Sequence, residues 1–252
     1  MIDVEKIIEA YTPEDFAVLK TRLETNYFEH AKFFLAYREA QPFILGRHHP
    51  VIADTMQRVV GGEIKRLLVN MPPSYTKTEL IVIQFASYGF AINPSCRFLH
   101  LSGDKELVLD NSSKIKDQIL SPLSQKLWGI RAKDDTDAKG LWKTNKGGAF
   151  YARPAGSKLV GFRAGRSRPG FQGALIIDDP QDENEVRSPV KVKKFPERYA
   201  GVIRHRVDNR NTPIIVVMQR LGDEDFSAWL LEGGSGEMWH HLCLPSPIPE
   251  ND

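Results

Sequence analysis

Residues 65–80, KRLLVNMPPSYTKTEL, constrain this chain more than any other stretch. Residues 66–70 are a short apolar run that reads as a buried strand. Met71-Pro72-Pro73-Ser74-Tyr75 turns the chain, Thr76-Lys77-Thr78-Glu79 follows, and the apolar run 80–90 predicts a helix. Strand, loop, Lys-Thr, helix is the layout of a phosphate-binding loop. The first turn of a helix carries N–H groups with no intrahelical partner and the positive end of the peptide dipole, so phosphates are stabilised there. In that layout the segment from Ser74 through Tyr75 and Thr76 to Glu79 surrounds the phosphates. Lys77 reaches the β and γ oxygens and the Thr78 hydroxyl takes a place on Mg²⁺. The usual pattern, G-x-x-x-x-G-K-[ST], has two glycines, and Met71 and Thr76 stand in their places. Glycine reaches backbone conformations that other residues adopt only at a cost. Taken alone, the stretch therefore also reads as an ordinary strand–turn–helix with a surface lysine.

Two further apolar runs end in polar groups. Residues 174–177, ALII, lead into Asp178-Asp179-Pro180, a buried strand delivering carboxylates at its C-terminal end, where ligands of open α/β sheets bind. Strand-ending aspartates also cap following helices, but the pairing of two acids with the upstream Lys77-Thr78 favours a functional role. Residues 212–218, TPIIVVM, end in Gln219-Arg220. Just before the acidic strand, residues 161–173, GFRAGRSRPGFQG, form a loop rich in arginine and glycine.

The remaining elements alternate. Thr12-Pro13-Glu14-Asp15 is a helix start, with helices expected to about Ala40. Arg47-His48-His49 is expected as a loop leading into a helix over 50–60 that Gly61-Gly62 ends; adjacent histidines seldom face one site. Strand 97–101, helix 105–120 and strands 174–177 and 212–218 imply a parallel sheet with crossovers. Residues 131–140 read as an exposed loop. Residues 141–144, 148–153 and 158–163 read as an antiparallel meander on the sheet's edge. A basic helix is expected over 188–207, a short helix over 223–231 and a last strand over 239–244.

At 252 residues the chain is long enough for one large α/β domain. Its 41% hydrophobic and 26% charged content is that of a globular protein. No apolar run is long enough to cross a bilayer, and the first residues lack a signal-peptide pattern. Cys96 and Cys243 give no metal-ligand spacing, and a reducing cytoplasm is the default. A net charge of +2 does not argue for nucleic acid by itself.

The stretches GGEIKRLLVNMPPSYTKTEL, GALIIDDPQDENEV and TPIIVVMQRLGDEDFSAWLL, in this order, resemble the ATPase domain of the large terminase subunit of tailed bacteriophages and prophages. The resemblance implies a P-loop NTPase fold of the RecA-like (ASCE) class: a mainly parallel sheet flanked by helices, with an antiparallel β extension. An N-terminal helical segment (1–62) would pack on the core (63–244), and residues 245–252 would be a linker toward a nuclease domain. It implies ATP hydrolysis with Mg²⁺, Asp178 holding the metal with Thr78, and Asp179 orienting the attacking water, with Glu183 the rival base. Gln219 resembles the residue that couples γ-phosphate loss to movement. Arg168, or else Arg166, would act in trans as an arginine finger, because Ser74 stands where the family has a loop arginine. Gln41 or Arg47 would lie near adenine. The expected partners are double-stranded DNA, held through phosphates by Arg153, Lys158, Arg163 and the region of Lys193, further copies in a ring on the portal protein, and the small terminase subunit. The expected location is the host cytoplasm at the procapsid. A helicase-type ATPase core and a non-hydrolysing nucleotide-binding scaffold are the alternatives.

Overall fold

The structure, a computed structural model, describes residues 10–245. The N-terminal residues 1–9 and all of the expected linker after Pro245 lie outside the described residues. Helices α1 (Pro13–Thr25), α2 (Tyr27–Glu39) and α3 (His48–Val60) come first. Thr12 caps α1 in a capping box with Asp15, as the Thr-Pro-Glu-Asp start predicts. The strands are β1 (Arg66–Asn70), β2 (Arg97–Ser102), β3 (Ala132–Ala138), β4 (Leu141–Thr144), β5 (Ala149–Pro154), β6 (Leu175–Asp178), β7 (Ile214–Met218) and β8 (His240–Cys243). They form one sheet in the order β3-β4-β5-β2-β6-β7-β1-β8. Pairing is parallel from β5 through β8 and antiparallel in β3-β4-β5.

The strands at the centre read as apolar runs because both faces are covered. In β1, Leu67 and Val69 face one core and Leu68 the other; in β7, Ile215 and Val217 alternate with Ile214, Val216 and Met218. The first face is packed by α2, α3, α4 (Phe85–Ile92) and α5 (Lys105–Leu120). The second is packed by α8 (Lys194–Gly201) and α9 (Phe226–Leu231), through Phe195, Tyr199, Phe226 and Leu230. Two further short helices are α6 (Pro122–Trp128) and α7 (Glu183–Val186). No described helix is long and apolar enough to cross a membrane.

Three expectations are corrected. Residues 131–140 are not a loop: β3 pairs with β4, with a register shift between Ala132 and Asp137. Its charged composition hides it, since strand preference depends on the neighbouring strand that offers an edge more than on the segment's own residues. Residues 158–163 form no strand, because both edges of β5 are already taken by β2 and β4. The meander is therefore one element earlier than expected. The helix expected over 188–207 is broken into turns, α8 and a 3-10 turn, Ile203–Arg206. Pro196 has no N–H to donate, so it fits only the first turn, and α8 starts at Lys194 to place it there. The helix after β1 also departs from regularity: it opens as a π-helical turn, Glu79–Gln84, before α4.

Candidate active site

β1, β6 and β7 are adjacent and parallel, with β7 between the other two, so their C-terminal tips stand side by side. Asn70 pairs in register with Met218, and Asp178 with Val217. The loop after β1 thus returns over the tip of β6. Lys77 Nζ lies 2.6 Å from Asp179 Oδ2, and the Thr78 hydroxyl donates to Asp178 Oδ2 at 2.9 Å. The backbone N–H of Gln219, at the tip of β7, donates to Asp179 Oδ1 at 3.3 Å. A lysine, a hydroxyl and two carboxylates separated by about a hundred residues are brought to one spot.

The backbone here is bent to fit. Ser74, Thr76 and Asp179 sit at positive φ (66°, 58° and 39°), a region costing a non-glycine residue on the order of 1–3 kcal/mol. Thr76 is in the left-handed form at the position where the common pattern has its second glycine. The first helical bond runs from Leu80 N to Thr76 O at 3.0 Å, so Lys77 and Thr78 open the helix. Gly103, after β2, donates its N–H to the Asp179 carbonyl at 3.1 Å. A Cβ there would come within 2.7 Å of that oxygen, so only glycine lets the β2 tip approach.

Asp178 is fully buried and its carboxyl is pushed up to about 7, first by burial and then by the charge of Asp179. The Thr78 hydrogen bond and the Lys77 charge pull the other way. Its Oδ1 is buried with no hydrogen-bond partner among the described residues. A carboxylate oxygen with unmet valence beside a hydroxyl suits a hard divalent cation. Among the described residues no group of three or more His, Cys, Asp or Glu side chains is placed to cage a metal. The pair would therefore share an ion with phosphates and water.

The sign of the pH effect follows. A carboxyl whose folded pKa lies above its unfolded value of 3.8 contributes stability that is fully present below that value and lost as pH rises through about 7. Relative to Asp178→Asn, which has no charge to bury, the ligand-free protein should lose up to about 1.4 kcal/mol per pH unit between pH 5 and 7 and stay level above. Thermal midpoints of both proteins at pH 5, 6, 7 and 8 measure this. Parallel curves would return Asp178 to ordinary carboxylate behaviour.

A cleft of about 690 Å³ adjoins Asp179 and Gln219 at the strand tips. Glu183, Lys191, Lys194 and Arg198 line it too. Glu183 is exposed and pairs with Arg187 at 3.4 Å. Arg198 is committed to the carbonyls of Ala155 (2.7 Å) and Ser157.

Other expected site residues lie elsewhere. Arg168 lines a cavity of about 650 Å³ with Lys65, Thr212 and Pro213. These residues precede β1 and β7, so Arg168 is at the opposite end of the sheet from the carboxylates of its own chain. Arg166 is spent on backbone carbonyls, Ser95 O at 3.0 Å and Gly147 O. The Glu79 carboxylate is turned to α2, where Arg38 grips both its oxygens at 3.0 and 2.7 Å and Gln84 donates to it at 2.8 Å. Only its backbone remains for the loop. Conversely, His48 and His49 both reach the loop. His49 Nε2 lies 2.9 Å from Thr76 Oγ1, and the His48 ring is 5.3 Å from that of Tyr75. The one sequence signal for this was the His pair itself, which opens α3 rather than preceding it.

The fold is similar to that of the bacteriophage HK97 large terminase, known from a crystal structure, with a TM-score of 0.57 at 15% identity. The match covers 90% of this chain and 45% of the terminase, so the chain spans less than half of that protein's length. No family model matches the sequence, and no curated protein matches it either. The likeness is one of fold: an α/β architecture with a largely parallel eight-stranded sheet flanked by helices.

Proposed function

We propose that this chain is the ATP-hydrolysing motor domain of a large-terminase-type enzyme that drives double-stranded DNA into a procapsid. The observation that carries the reading is the meeting of Lys77 and Thr78 with Asp178 and Asp179 over one edge of a parallel sheet. The strand inserted between β1 and β6 supports a P-loop ATPase of the RecA-like class, and the fold's likeness to a phage terminase supports DNA packaging. In this reading residues 63–244 are the ATPase core and residues 1–62 a helical segment packed on it.

The residues have separable tasks. The N–H groups of Ser74–Lys77 surround the phosphates, and Lys77 exchanges its bond to Asp179 for the β and γ oxygens. Thr78 and Asp178 hold Mg²⁺, which when bound neutralises charge developing on the phosphates. Asp179, released from Lys77, accepts a proton from the attacking water and orients it. Gln219, bonded through its backbone to Asp179, reports loss of the γ-phosphate to β7. Arg168 faces away from its own site, the placement a residue needs to serve a neighbour's site in a ring. DNA phosphates meet Arg153, Lys158, Arg163 and Lys193; the last three are exposed. The portal protein and small subunit would be the further partners.

The test is phosphate release from Mg-ATP over a series of protein concentrations, with and without double-stranded DNA. Turnover that rises with protein concentration and with DNA is expected. Silence at every concentration, with no ATP bound, would leave a scaffold module instead.

A further inference from the structure

The phosphate loop reaches its shape without the glycine that would make that shape free, and a histidine from another element stands where the loop needs help. Thr76 is β-branched and held at φ 58°, where such residues are strained. Its hydroxyl is fixed at both ends: it lies 2.9 Å from His49 Nε2 and donates to the Tyr75 carbonyl at 2.6 Å. His49 Nδ1 accepts the N–H of Gly46 at 2.8 Å. An imidazole nitrogen that accepts carries no proton, so the ring proton is on Nε2 and is donated to Thr76. The hydrogen bonds run in one direction, from Gly46 N–H through His49 and Thr76 to the Tyr75 carbonyl.

We propose that His49 is a positioning residue of the phosphate loop: the hydrogen bond it donates to Thr76 holds that residue in the left-handed conformation glycine would adopt unaided, and so sets Lys77 and Thr78. The ring is itself held. It is 4% exposed, with the Phe43 ring 4.7 Å and the His48 ring 3.9 Å from it. Gly46 permits the turn, since a Cβ there would come within 2.7 Å of His48 Cε1. Burial, then the neighbouring His48, pulls the His49 pKa down to about 4, so the neutral donor form persists at neutral pH.

The consequence for nucleotide binding rests on the ATPase reading; the brace itself does not. The experiment compares wild type, His49→Ala, Thr76→Gly and the double variant for Mg-ATP affinity, kcat, KM and thermal midpoint. His49→Ala is expected to weaken Mg-ATP binding and raise KM about tenfold, with kcat changed less than twofold. In the Thr76→Gly background the same replacement should cost less than twofold, because glycine needs no brace. His49→Phe keeps the ring stack without the donor and should reproduce the His49→Ala loss, which guards against a folding defect. Equal losses in both backgrounds would overturn the proposal and assign His49 to packing. If the wild type binds no ATP, the ATPase reading fails, and the brace is read from the midpoints alone. A drop of ~2–4 °C with Thr76 present that is at least halved in the Thr76→Gly background would sustain it. The same drop in both backgrounds would sink it.

Discussion

Lys77→Ala is expected to lower ATP turnover by about 10²–10³-fold while leaving the fold in place. Among the described residues the Lys77 ammonium is the cation in contact with the paired carboxylates, at 2.6 Å from Asp179, and it is the group that the phosphates would recruit. Its removal costs twice over. The β and γ oxygens lose their stabilising charge, and Asp178 loses one of the two influences that keep its carboxyl from rising further. Asp178 would then keep its proton to higher pH and hold a divalent cation less well. Stability should change little, because the Asp179 side chain is 34% exposed and water can solvate it once Lys77 is gone. Steady-state phosphate release with DNA present, beside a thermal midpoint for each protein, separates the two effects. Wild-type turnover by the variant would remove Lys77 from the mechanism and the phosphate loop with it.

The sheet's centre is legible in the sequence because parallel strands buried on both faces admit little but aliphatic residues. RLLVN, LIID and IIVVM each announce a strand, and each ends where polar groups start. That they lie side by side follows only from their pairing, which no local pattern contains. The failures have a common cause in non-local contacts. The strand Ala132–Ala138 exists because β4 offers it an edge, not because AKDDTDA favours extended chain. Arg168, expected to serve the site of a neighbouring copy, is close in sequence to the acids of its own chain. Yet a residue before a strand lies at the opposite end from a residue after it, and four residues of strand span roughly 13 Å. Glu79 follows Thr78 directly, but Arg38 on α2 turns its carboxylate away. The rule that neighbours on a chain diverge hides His49 along with His48. At the first turn of α3, Gly46 folds back on the pair and both rings meet the loop. The departures from the common phosphate-loop pattern were visible at Met71 and Thr76; the left-handed backbone that Thr76 adopts was not.

Asp179→Asn should lower kcat by about 10²–10⁴-fold, the range for loss of a positioned general base, without weakening ATP binding. The split between the two constants follows from the ligand-free ion pair. Asp179 now competes with phosphate for Lys77, and an amide would compete less, so KM should hold or fall. Its neighbour in the cleft, Glu183, is the control. Glu183 lies on a short exposed helix, paired with Arg187 at 3.4 Å, and has no contact with Lys77 or Gln219 among the described residues. Glu183→Gln should therefore keep kcat within twofold. Asp179 is also the residue held at φ 39°, with its carbonyl bonded to Gly103 and its carboxylate to the Gln219 N–H. Strain of that kind persists only where surrounding contacts enforce it, and here the contacts come from β2 and β7, on either side of β6. Single-turnover phosphate release and ATP affinity, measured for both variants, decide between the acids. A large kcat loss in Glu183→Gln with Asp179→Asn near wild type would move the base to α7 and leave Asp179 as a counter-ion to Lys77.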